Sequence, residues 1–182
     1  MSQVAYVFYG RMNPFTIGHK HAANTMIAAA HRNGAKPFII MSHTQKRNKN
    51  PLSASQKMNF MKLYKFPTNV VIRTSNTTHP SIFQIKNKMM KNNKFKNVVL
   101  FVGTDNENAL KSKKPAKLKF SNSFTTVPIK RPVGAPSGTA ARTAAFKNFS
   151  SFRKFIPSNL SNANVEKLRK LILNQMNKPK SK

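Results

Sequence analysis

Val4-Ala5-Tyr6-Val7-Phe8-Tyr9 runs straight into Gly10-Arg11-Met12-Asn13-Pro14-Phe15-Thr16-Ile17-Gly18-His19, and a helix-like segment follows. The apolar run reads as a short buried strand, and the Gly/Asn/Pro stretch as the loop that turns it into the helix. Such a junction makes a cradle for an anion, because loop amides and the helix N-terminus both direct positive potential outward. Gly10 and Gly18 allow close backbone approach, and the His19 ring can donate to a phosphate oxygen.

The alternation of strand and helix continues along the chain and predicts a parallel sheet covered on both faces. Strands are expected at 4–9, 36–42, 69–74, 97–102 and 124–127, the last ended by Pro128. Helices are expected from Gly18 to Asn33 with Gly34 as the stop, from Ser53 onward, from Pro80 to about Asn93, and at 140–147, 150–155 and 165–176. Ser53 and Gln56 have the spacing of a capping box. Residues 43–50 form a polar, basic loop and 111–123 a Lys-rich one. Ligands of open parallel sheets bind at the carboxyl ends of the strands. The turns at 10–19, 103–106 and 137–142 all follow expected strands, so they are expected to converge on one pocket.

Composition sets the outer bounds. A chain of 182 residues suits one domain with a real core. The absence of cysteine excludes a disulfide scaffold and a thiolate metal site. No apolar run approaches the roughly 18–20 residues of a membrane span. No signal-peptide pattern opens the chain, so an intracellular setting is expected rather than secretion. The 33 Lys and Arg face only three acids, Asp105, Glu107 and Glu166, for a net charge of +30. Unpaired like charge opposes compaction, so a polyanionic partner is expected: DNA, RNA or an acidic protein or capsid surface. Binding of that kind weakens steeply with salt.

Thr16-Ile17-Gly18-His19 resembles the T/H-x-G-H signature of the nucleotidyltransferase superfamily, which includes nicotinamide-mononucleotide adenylyltransferases, phosphopantetheine adenylyltransferases and cytidylyltransferases. The preceding Gly-Arg-x-Asn-Pro is similar to cytidyltransferase-like proteins of large DNA viruses and phages. Pro51-Leu52-Ser53-Ala54-Ser55-Gln56-Lys57 resembles the start of the second helix in those relatives. Val98-Val99-Leu100-Phe101-Val102-Gly103-Thr104-Asp105-Asn106 resembles the family's fourth strand and its Gly-x-Asp exit, and Ser137-Gly138-Thr139-Ala140-Ala141-Arg142 its S-x-T-x-x-R signature. The resemblance spans roughly residues 3–156. It implies a Rossmann-like α/β fold, with a five-stranded parallel sheet, helices on both faces and C-terminal helices. The expected division is an α/β domain over 1–156, a helix over 157–177 and a basic tail over 178–182.

The resemblance also implies roles. Transfer of a nucleotidyl group needs no protein nucleophile, only position and charge stabilisation. His19 would bond nucleotide phosphates and steady the leaving group; the bland alternative is a histidine that caps its own helix. Thr16 stands where many relatives carry His, and Asn13 where they carry Asp, Asn or Gln; as a turn residue Asn13 could simply hold the loop. Ser137, Thr139 and Arg142 would grip the outer phosphates, or else form an ordinary cap beside a surface Arg. Gly10, Gly18 and Gly103 would line the nucleotide site. Asp105 would sit near the ribose or acceptor, or cap a short helix. No acids are spaced as a dedicated metal site, so Mg²⁺ would be held by the phosphates of ATP or CTP. His21, His31, His43 and His79 read as structural or surface residues. Arg11, Lys20, Lys46, Arg47 and Lys49 receive no specific role.

Two functions compete at this level. The charge favours a virion-associated, minor capsid or packaging component that binds polyanions on a nucleotidyltransferase fold. The retained motifs favour an active adenylyl- or cytidylyltransferase. A ribosome-associated protein would suit the same charge.

Overall fold

The structure, a computed structural model, describes residues 4–79, 81–92, 95–103, 124–130, 132 and 134–177. Five parallel strands form one sheet in the order β3-β2-β1-β4-β5. They are β1 (Val4–Gly10), β2 (Lys36–Met41), β3 (Val71–Thr74), β4 (Asn97–Gly103) and β5 (Phe124–Ile129). The chain steps outward from β1 to β3, then returns to β4 on the other side of β1. This reversal opens a crevice between the carboxyl ends of β1 and β4. In register, Val7 lies between Phe38 of β2 and Leu100 of β4.

Because successive strand residues face opposite ways, the sheet splits the apolar side chains into two cores. Ala5, Val7, Phe38, Ile40, Val98, Leu100 and Val102 pack with Ile82, Ile85 and Met89 of α3 (Ile82–Asn92). Phe8, Ile39, Met41 and Phe101 point the other way. There they meet α1 (Ile17–Arg32), α2 (Ala54–Leu63), α4 (Gly138–Lys147), α5 (Phe149–Arg153) and α6 (Asn162–Asn177). The Ser53 cap is as expected: its side chain accepts from the Gln56 amide at 3.2 Å, and Gln56 accepts from the Ser53 amide at 2.9 Å. No helix among the described residues is long and apolar enough to cross a membrane.

Several bounds shift and other expectations fall outside the described residues: β3 begins at Val71 instead of residue 69, and α6 spans Asn162–Asn177 instead of 165–176 or the whole of 157–177. β5 runs through Pro128 to Ile129 instead of ending at Val127. Pro128 pairs with Val102 on an edge strand, where an outward N–H has no ladder partner to lose. α4 starts at Gly138, not Ala140, because Ser137 is its N-cap. Pro80, the 111–123 loop, the 178–182 tail, Asp105 and Glu107 lie outside the described residues.

The turn between α5 and α6 is built around one side chain. All five N–H groups of the Arg153 guanidinium are engaged: Nε on Asn162 Oδ1, Nη1 on the carbonyls of Ile156 and Pro157, Nη2 on those of Ser158 and Leu160. Removing this fork strips the side-chain donor from the carbonyls of Ile156, Ser158 and Leu160 at once and leaves that of Pro157 with the Leu160 amide alone, in the turn that leads into α6. Arg153→Ala is expected to cost about 2–3 kcal/mol in urea unfolding. A loss below about 0.5 kcal/mol would mean the fork does not hold this turn.

A candidate anion site at the sheet crevice

A cavity of about 650 Å³ opens at the β1/β4 crevice, lined by Gly10 at the end of β1, Gly103 at the end of β4 and Ile129 at the end of β5. Thr16, Gly18 and His19 line it from the start of α1, and Ser137, Gly138, Thr139 and Arg142 from the start of α4. Arg11 and Asn13 complete the loop side. Of the candidate residues read from the sequence, all but Asp105 therefore surround one space. Asp105 lies outside the described residues.

Hydrogen bonds tie the two helix starts together. The Thr16 hydroxyl donates to the Pro136 carbonyl at 2.9 Å, joining loops 120 positions apart in sequence. The Thr16 amide donates to His19 Nδ1 at 3.1 Å. That bond requires a lone pair on Nδ1, so the neutral ring carries its proton on Nε2. His19 sits at the third position of α1 and closes a capping box with Thr16. The two sequence readings of His19 are therefore compatible: one ring nitrogen serves the helix cap, and the other is set as a donor. Phe15 stacks on the ring at 5.8 Å between centroids and fixes its plane.

Other candidates make the structural contacts that the sequence left open as alternatives. The Asn13 amide is absorbed by Leu52: Nδ2 donates to its carbonyl at 3.0 Å and Oδ1 accepts from its amide at 3.1 Å. Asn13 is buried and fastens the loop to the start of α2; only its backbone carbonyl meets another site residue, Arg142 Nη1, at 2.6 Å. Ser137 caps α4 by accepting from the Ala140 amide at 3.1 Å, which still leaves its own proton to donate. Thr139 Oγ1 accepts from Arg142 Nη2 at 3.1 Å. At α1, the Ile17 amide already serves the Phe155 carbonyl and the His19 amide the Thr16 hydroxyl. The anion-binding end of that helix is thus narrower than the sequence suggests.

The charge balance is one-sided. Among the described lining residues Arg11 and Arg142 are cations and none is a carboxylate. Burial, and then the neighbouring Arg11 cation, pull the Arg142 pKa down from its usual value. Two guanidiniums that repel each other in a partly buried space make a receptor for an anion. The sole described carboxylate, Glu166, pairs with Arg169 on α6 at 3.4 Å.

Glycine matters at one of the two positions singled out. A Cβ at Gly10 would make only ordinary contact with the Met12 side chain, at 3.5 Å. At Gly18 it would press on the Pro136 carbonyl at 3.0 Å, the same oxygen that holds Thr16. Gly18→Ala gains about 1 kcal/mol of helix propensity and loses about 1–3 kcal/mol to overpacking, so stability should fall by about 0–2 kcal/mol. Anion affinity should fall about tenfold as the 135–137 loop is displaced. Unfolding curves together with nucleotide titrations check both; a stabilised variant of unchanged affinity would contradict this packing.

Two features escape sequence reading. Met12 adopts φ +46°, a left-handed conformation unusual for a side chain of its size, and is held there by burial at 1 % exposure. Lys57 on α2 is 2 % exposed, and its Nζ donates to the Arg11 carbonyl at 3.3 Å and to the Ser42 carbonyl. It clamps the β1–α1 loop to the end of β2. Burial pushes its pKa down to about 8. Unfolded lysine holds its proton to about pH 10.4. Below pH 8 both states are charged and the burial penalty is felt in full. Between pH 8 and about 10.4 the native state sheds the proton first, so stability rises with pH. The stability of wild type relative to Lys57→Met should increase by about 3 kcal/mol across that window, read from chemical denaturation at stepped pH. A flat difference would show that Lys57 is solvated.

Sheet order and cavity place the protein among Rossmann-like α/β folds with a ligand crevice at the strand reversal. More narrowly, the chain belongs to the cytidylyltransferase-like family, whose model matches residues 7–151. Among solved structures it is similar to Plasmodium falciparum nicotinic acid mononucleotide adenylyltransferase complexed with NaAD, at TM-score 0.65 and 12 % identity over 92 % of this chain and 98 % of that one. It is similar also to a putative nicotinate-nucleotide adenylyltransferase from Vibrio parahaemolyticus, at TM-score 0.63 and 14 % identity over 98 % of each chain. Thermotoga maritima TmcAL bound with alpha-thio ATP matches at TM-score 0.53 and 12 % identity, over 97 % of this chain and 56 % of that one. At such identities these likenesses establish the fold. No curated protein matches the chain. Family and neighbours agree with the nucleotidyltransferase superfamily read from the four sequence segments.

Proposed function

We propose that the protein is a nucleotidyltransferase that moves AMP or CMP from ATP or CTP to a phosphorylated acceptor and releases pyrophosphate. The observation that carries this reading is the unneutralised Arg11–Arg142 pair, set between two capped helix starts in a cavity with no described carboxylate. In the reaction an acceptor phosphate oxygen attacks the α-phosphorus, the bond to the bridging oxygen breaks, and pyrophosphate carries the electron pair away. His19, with its proton on Nε2, donates to a phosphate oxygen as charge grows on the leaving group. Arg142 and Ser137 hold the outer phosphates, and Gly10, Gly18 and Gly103 line the nucleotide. The donors on offer are N–H and O–H groups, which suit phosphate oxygens; Mg²⁺ would arrive on the nucleotide's own phosphates.

The rival reading, a polyanion-binding virion or packaging component, rests on the +30 charge and on the resemblance of the first loop to proteins of large DNA viruses and phages. Neither the fold nor the family match adds to it, so the enzyme is preferred. Pyrophosphate release with ATP or CTP across a panel of phosphorylated acceptors tests the choice. A signal that disappears with His19→Ala supports the enzyme; silence across the panel, with wild type folded, overturns it.

A further inference from the structure

The cavity is sized for a small ligand, since such sites run roughly 300–1,000 Å³. At about 650 Å³ it admits a nucleotide and the end of an acceptor, not a polymer. Its rim, however, carries positive charge that reaches beyond the cavity itself. Arg11 and Lys130, the latter next to the lining residue Ile129, are exposed. Asn50 lines the cavity, and its backbone pairs both ways with Lys46, at 2.9 and 2.6 Å. This pairing folds residues 46–50 into a tight turn that presents Lys46 and Lys49 to solvent beside the opening. No described residue of that rim is acidic. The segment 104–123 carries Asp105 and Glu107 against Lys111, Lys113, Lys114, Lys117 and Lys119, so its sequence does not reverse the sign.

We infer that the acceptor is a nucleic acid: its terminal phosphate enters the cavity while the chain behind it lies across the cationic rim formed by Arg11, Lys46, Lys49 and Lys130. This rests on the nucleotidyltransferase reading and names its substrate class. An oxygen of the terminal phosphate attacks the α-phosphorus of ATP or CTP, the α–β bridging bond breaks, and the products are a phosphoanhydride-capped strand and pyrophosphate. A polynucleotide supplies regularly spaced phosphates for the rim, which an acidic protein surface does not.

The test uses the full chain and short single-stranded DNA and RNA oligonucleotides ending in 5′-phosphate, 3′-phosphate or hydroxyl. Two variants of equal net charge are compared: K46E/K49E at the rim, and K88E/K91E on α3, whose last turn immediately precedes the amino end of β4 and so lies at the end of the strands away from the crevice. The rim variant should weaken oligonucleotide binding at least tenfold and flatten the slope of log K against log salt by about 1.4, at 0.7 per lost phosphate contact. The α3 variant should change affinity less than twofold. Label from α-³²P-ATP or CTP should pass to a phosphate-ended strand and not to a hydroxyl-ended one. Equal losses in both variants, tighter binding of poly-glutamate than of any oligonucleotide, or label passing only to small acceptors would each overturn the inference. Thermal shift with ATP and CTP runs in parallel. If neither nucleotide binds wild type, the nucleotidyltransferase reading fails; if nucleotide binds but no strand is labelled, only the acceptor assignment fails.

Discussion

Replacing His19 with alanine is expected to slow nucleotidyl transfer by about 100- to 1,000-fold, the usual cost of losing one preorganised donor to developing negative charge. The same change removes the acceptor of the Thr16 amide and should cost about 1 kcal/mol through the broken cap. The two effects separate in His19→Glu. A glutamate at the third helical position restores the capping box and suits the helix dipole, so stability should recover. Its negative charge repels phosphate, so activity should stay as low as in alanine or fall further. If His19→Glu recovers stability and activity together, the ring has no duty beyond the cap.

Arg142→Lys is the second large effect. The arginine spans the Asn13 carbonyl and Thr139 Oγ1 with two different nitrogens, a bridge a single ammonium cannot make. Nucleotide binding and turnover should fall about 100-fold. Arg142→Ala should lose at least as much function, yet its stability at low salt should stay within about 1 kcal/mol of wild type. The reason is that removing the guanidinium also relieves its repulsion from Arg11. Titration of ATP and CTP alongside urea unfolding reads both quantities. A large stability loss with unchanged nucleotide affinity would make Arg142 a strut rather than a phosphate ligand.

The strand–helix alternation, the Ser53–Gln56 cap and the meeting of the 10–19 and 137–142 turns beside Gly103 are legible because each is written in local pattern. β5 was cut short at Pro128 because local pattern does not say which strand becomes an edge. Thr16-x-x-His19 has the same spacing as Ser53-x-x-Gln56, and the capping alternative for His19, carried through, implies the ring tautomer. For Asn13 the sequence leaves both a ligand and a loop-holding role open, and its partner, Leu52, is 39 positions away, so only the tertiary fold shows what it holds. Lys57 left no trace at all: in a helix of modest amphipathicity a lysine reads as surface, and its burial depends on two carbonyls from separate loops. The composition gave the charge but not where it gathers.

The most direct measurement is thermal denaturation of wild type, His19→Ala and Arg142→Ala with ATP and with CTP. At about 100 times its dissociation constant a nucleotide adds about 2.7 kcal/mol. For a chain of this size that raises Tm by about 5–11 °C. One of the two nucleotides should produce that rise in wild type, and both variants should lose most of it. An unmoved wild-type Tm with either nucleotide, or an equal rise in all three proteins, would mean that the β1/β4 crevice is not a nucleotide site.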